Sequence, residues 1–100
     1  MQKVTVVAKL RAKEGMEDRV KQELMTMVEE TRKEKGCINY DLHVDDTDKG
    51  TFLFYENWVS KMALEHHFET PHFRRLRSLT EELFAVPTEI NLMKMVSDPE

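Results

Sequence analysis

The chain is poor in the residues that mark several large protein classes. It holds one cysteine, three glycines, three prolines and one tryptophan in 100 residues. The lone Cys37 leaves no partner for an internal disulfide and fits a reducing compartment, so a cytoplasmic protein is expected. The glycines form no Gly-x-Gly-x-x-Gly, P-loop or Gly-x-Ser-x-Gly pattern, which removes sequence support for nucleotide or flavin binding. Long apolar runs are missing too. The opening MQKVTVVAKLRAK returns to charge after a few residues, so neither a signal peptide nor a membrane span is expected. Net charge is −4, with no basic stripe, and nucleic acid is not an expected partner.

What is present is a dispersed 34% of charged residues around clear apolar periodicities, which predicts one domain over residues 1–96 and a frayed tail at 97–100. Val4–Lys13 alternates as a first strand. Met16, Val20, Leu24, Met27, Val28 and Thr31 mark one face of a long helix, which Gly36 is expected to end. Cys37–Val44 and Thr51–Trp58 read as two strands joined by the polar turn Asp45–Gly50. Ser60 and Thr70 are N-cap candidates, with Pro71 suited to a first helical position, so the second helix is expected to be split near Thr70. Thr88–Val96 reads as a last strand. The order βαββαβ predicts an α+β, ferredoxin-like fold: a four-stranded antiparallel sheet with helices on one face. Strands one to three carry apolar side chains on both faces, so the uncovered face calls for a second copy. A homodimer through facing sheets is the expectation.

The chemistry-bearing residues concentrate in Phe52–Phe73. Glu56 and Trp58 are two apart on one strand and therefore share a face, with Phe54 beside them. A carboxylate buried among rings has a raised pKa and becomes a usable proton acceptor near neutrality. What lies opposite depends on the hairpin register. With Val44 against Thr51, Asn39, Asp41 and His43 share the face of Glu56; a one-residue slip puts Tyr40 and Leu42 there instead. His66 and His67 point about 100° apart on a helix, and His67 lies nearer the side marked by Leu64 and Phe68. His72 follows Pro71 in a first helical turn. His67 and His72 are five apart rather than four and no second cysteine exists, so no metal site is expected. Arg74, Arg75 and Arg77 read as a solvated helix face, or as a holder for an anionic substrate group if one turns inward.

At these residues the chain resembles the antibiotic biosynthesis monooxygenase domain, in its small stand-alone quinol monooxygenase form. The matching stretches are Gly36–His43, Phe54-Tyr55-Glu56-Asn57-Trp58, Ala63-Leu64-Glu65-x-His67 and Thr70-Pro71-His72-Phe73. The resemblance implies a dimeric α+β barrel and oxygenation by O₂ without flavin, haem or metal, so no cofactor is expected. Its substrate would be a small aromatic hydroquinone or anthrone. On that basis His43 or His67 is the expected base and Glu56 its orienting partner. Trp58, Phe54 and Phe73 would form a ring slot, with Tyr40 also on the substrate and Asn39 or His72 as hydrogen-bond donor. Haem-degrading relatives use an Asn near the position of Val7 and a His near that of Arg77, and neither is present. Two alternatives remain open: an isomerase or processing enzyme for a small phosphorylated signalling sugar, and a non-catalytic small-molecule-binding stress protein.

Overall fold

The computed structural model describes residues 3–97. Its elements run β1 (Val4–Arg11), α1 (Glu17–Thr31), β2 (Cys37–Val44), β3 (Thr51–Trp58), α2 (Lys61–His67), α3 (Pro71–Ser78), α4 (Thr80–Leu83) and β4 (Glu89–Met93). The strands form one antiparallel sheet in the order β2-β3-β1-β4, which is the ferredoxin-like α+β arrangement. Among the described residues no helix is long and apolar enough to cross a membrane. All but Ser97 of the expected frayed tail lies outside the described residues.

The two central strands, β1 and β3, supply most of the sheet's buried residues. Val6, Ala8 and Leu10 pair with Glu56, Phe54 and Phe52, and all six side chains are buried. The helical periodicity of α1 brings Val20, Leu24, Met27 and Val28 onto this face. Both expected caps form. Ser60 Oγ accepts from the Ala63 amide at 3.1 Å, and Thr70 Oγ1 accepts from the Phe73 amide at 3.3 Å, with Pro71 beginning α3. The Thr70 hydroxyl also donates back to the His67 carbonyl at 2.7 Å, which ties the end of α2 to the start of α3.

Four boundaries differ from expectation. β1 stops at Arg11, because Ala12 turns to the Gly50 carbonyl and bridges to Phe84. α1 ends at Thr31, five residues before Gly36. Gly36 instead answers a packing demand: a Cβ there would lie 2.3 Å from the Ala63 Cβ on α2. The apolar stripe expected for one helix after Pro71 is divided between α3 and α4 at Leu79. β4 is shorter than Thr88–Val96, since its pairing ends at Thr5–Met93, near the start of β1.

The hairpin adopts the slipped register. Tyr40 pairs with Glu56, Leu42 with Phe54 and Val44 with Phe52, with an irregularity between Cys37 and Asn39. Tyr40 is therefore buried under the helices, while Asn39, Asp41 and His43 face the other way. That outer face carries a connected set of side chains. Thr5 donates to Asn57, Asn57 to Asn39, and Asn39 to Asp41, which also accepts from Arg32.

Candidate active site

Between the sheet and the helices lies a cavity of about 240 Å³. Its floor is Val6, Ala8, Leu10, Phe54 and Glu56; Tyr40, His67, Phe68 and Phe73 wall one side, and Leu76, Arg77, Thr80 and Phe84 continue around it toward Thr88 and Ile90. Glu56 is 4% exposed and accepts from the Trp58 indole N–H at 2.9 Å. Burial pushes its carboxyl up to about 7, against the lowering effect of that hydrogen bond. Burial, assisted by the Glu56 charge, also holds the Tyr40 phenol well above its ordinary range, so Tyr40 remains an O–H donor.

His67 is 1% exposed and wrapped in aromatic rings, with the Trp58 centroid 4.6 Å away and that of Phe73 5.2 Å away. Its Nδ1 sits 2.8 Å from Glu34 Oε2, and His72 Nε2 meets the same oxygen at 2.6 Å. An ionised carboxylate only accepts, so each ring presents an N–H to it. Neutral His67 then has its proton on Nδ1 and a free lone pair on Nε2. Burial holds its pKa below the usual imidazole value, opposed by Glu34. A neutral imidazole fixed at one nitrogen by a carboxylate is the arrangement of a general base.

Residues 3–79 match the family model described as antibiotic biosynthesis monooxygenase. The chain belongs to that family. PA3566 from Pseudomonas aeruginosa is 32% identical, with 97% of each chain covered and a TM-score of 0.91. Rv0793 from Mycobacterium tuberculosis, provisionally named a monooxygenase, is 29% identical over 90% of this chain and 88% of that protein. Its structure matches with a TM-score of 0.89 over 99% of this chain and 100% of that one. An uncharacterised protein of Synechocystis, sll1783, is 40% identical over 70 residues; the match takes in 70% of this chain and about half, 48%, of that relative.

The structure of this antibiotic biosynthesis monooxygenase domain brings Tyr40, Phe54, Glu56, His67 and Phe73 to one cavity. It separates the rest of the expected set. His43 pairs with Leu53 on the outer face and is exposed, so it does not face the cavity as a base. Asn39 lies on that same face and is engaged with Asp41, Asn57 and the Tyr55 carbonyl, so it is no donor to a cavity ligand. His72 is turned to Glu34 instead of the cavity. Trp58 stacks on His67 from behind and does not line the ring slot. Glu56 holds the indole of Trp58; the partner that orients His67 is Glu34.

Glu34 is the residue that sequence reasoning missed. It stands between Lys33 and Lys35, two residues before the Gly36 expected to end the first helix, and 33 positions separate it from His67. Its presence also alters the argument against a metal. The spacing of His67 and His72 alone disfavours a metal, whereas Glu34 supplies a third donor atom beside them. The arginine cluster disperses: Arg74 pairs with Glu69 and Arg75 with Glu23, and of the three only Arg77 lines the cavity, its guanidinium 5.6 Å above the Phe73 ring.

Proposed function

We propose that this protein oxygenates a small aromatic hydroquinone with O₂, using His67 as the base and no flavin, haem or metal in the reaction. The observation that carries the reading is the pairing of an aromatic-walled cavity of about 240 Å³ with a His67 ring held at Nδ1 by Glu34. That volume lies below the usual range of ligand pockets, so the cavity suits a substrate of no more than one or two rings.

His67 Nε2 takes a phenolic proton, and the resulting anion gives one electron to O₂. The radical pair joins as a peroxide at a ring carbon. The O–O bond then breaks as that carbon loses its hydrogen as a proton: one oxygen stays as a new ring carbonyl, and the other is protonated and leaves as water. The substrate supplies all four electrons, so no external reductant is consumed. Tyr40 is the O–H donor for the phenolate oxygen, and Glu56, poised near 7, is suited to protonating the departing oxygen. The apolar walls of Phe54, Phe68 and Phe73 would solvate a phenolate poorly, which favours electron transfer from it. A sugar phosphate fits less well: Arg77 alone of the three arginines reaches the cavity, Arg74 and Arg75 are committed to surface carboxylates, and the other walls are mostly apolar or aromatic.

The test is oxygen uptake by purified protein with a panel of hydroquinones. Uptake is expected in the wild type and lost in His67→Ala; equal rates in the two would sink the assignment. We also propose that a second copy covers the outer face, where Val7, Leu53, Tyr55 and Met93 stand among the polar side chains and Tyr55 is 40% exposed. Sedimentation at micromolar concentration should show a dimer, and a stable monomer would exclude it.

A further inference from the structure

Glu34, His67 and His72 arrive from three elements: the turn after α1, the end of α2 and the first turn of α3. One ligand atom from each, a carboxylate oxygen and two imidazole nitrogens, lies within 4.8 Å of the others. Glu34 Oε2 serves both rings, while Oε1 is buried with no hydrogen-bond partner, one of two such side-chain atoms among the described residues. The Glu34 side chain is only 10% exposed, and among the described residues its ion-pair partners are these two imidazoles, with no lysine or arginine. A buried carboxylate with one bare oxygen and no permanent countercharge is costly. A dication seated between the three side chains would supply the countercharge and, held by both carboxylate oxygens, would give Oε1 its partner.

We propose that Glu34, His67 through Nδ1 and His72 through Nε2 form a site for a divalent transition-metal ion, with the remaining coordination positions taken by water. Two nitrogens and one carboxylate suit Zn²⁺, Co²⁺ or Fe²⁺ better than Mg²⁺ or Ca²⁺, which prefer oxygen. Ligands each about 2.1 Å from one ion stand roughly 3 Å apart, so small side-chain rotations convert the hydrogen-bonded cluster into a coordinating one. The His72 side chain, 16% exposed, leaves an entry from solvent.

The site has a consequence for the cavity, which rests on the reading of His67 as base; the binding itself does not. A metal at Nδ1 takes the place of the proton there. The neutral ring then carries its proton on Nε2, so the atom facing the substrate turns from acceptor to donor. Occupancy would silence the base.

The experiment uses full-length, untagged protein stripped with a chelator and titrated with Co²⁺ and Zn²⁺. One equivalent per chain is expected, with visible ligand-field bands for Co²⁺. Glu34→Gln and His72→Ala should each weaken binding by about tenfold or more, and exposed His66→Ala should not. Circular dichroism checks that the variants are folded. Wild-type dissociation constants weaker than about 1 mM, or affinities unaltered in folded Glu34→Gln and His72→Ala, would overturn the site. Saturating Zn²⁺ should suppress hydroquinone-driven oxygen uptake; undiminished uptake would overturn the silencing. A protein that binds Co²⁺ through these residues yet oxidises no hydroquinone would remove the oxygenase reading and leave the metal site standing.

Discussion

The two sides of the sheet treat their polar side chains in opposite ways. On the outer face, Thr5, Asn57, Asn39, Asp41 and Arg32 form a chain in which each donor meets an acceptor and the end reaches solvent. On the inner face, Glu56 is buried with one indole as partner, His67 has one nitrogen bound and one free, and Glu34 has a bare oxygen. Paired polar groups add specificity to a fold without much reactivity. Groups left buried and partly unpaired have displaced proton affinities, and they sit where chemistry is to be done. The cavity lies on the inner side.

The largest expected effect sharpens that contrast directly. His67→Ala should lower hydroquinone-driven oxygen uptake by about 10²-fold or more, the usual worth of a positioned base, whereas His43→Ala on the outer face should leave it within about twofold. Next is the pH dependence of stability. The Glu56 carboxyl is raised in the folded state, so its contribution is fully present below about 4.5 and is lost as pH rises through about 7. Denaturant titrations of the wild type and Glu56→Gln should therefore diverge by about 3 kcal/mol across that window, with the wild type the one that weakens as pH rises. Parallel curves would mean that Glu56 is solvated.

Trp58→Phe keeps an aromatic ring in place, removes the indole N–H from Glu56 and leaves a small void where the fully buried indole stood. It should cost about 1–3 kcal/mol at neutral pH and shift the Glu56 transition upward, which carboxyl NMR titration would report. The smallest effect belongs to the outer chain. Arg32→Ala breaks an exposed pair with Asp41 and should cost under about 1 kcal/mol in urea unfolding, with oxygen uptake unchanged. A large loss of uptake in that variant would break the division between the faces.

Much of the architecture is legible in the residues. The bounds of β2 and β3, the caps at Ser60 and Thr70 and the break in the second helix follow from alternation, side-chain oxygens and Pro71, all of them local signals. The hairpin register does not, because β2 offers Tyr40 and Leu42 on one side, Asn39 and His43 on the other, and β3 has large side chains on both. A slip of one residue exchanges the faces, and only burial of Tyr40 against Phe54 under the helices decides between them.

The candidate site divides along the same line. Sequence alone determined the strand that bears Phe54 and Glu56, the one face these two share, and the helix that bears His67, because periods of 2 and 3.6 residues are properties of the backbone. Tertiary structure alone decided that His43 faces away and that Glu34 meets His67 and His72. That meeting depends on how far the turn after α1 reaches and how closely α2 packs, with Gly36 against Ala63, and no local periodicity encodes a contact across 33 residues.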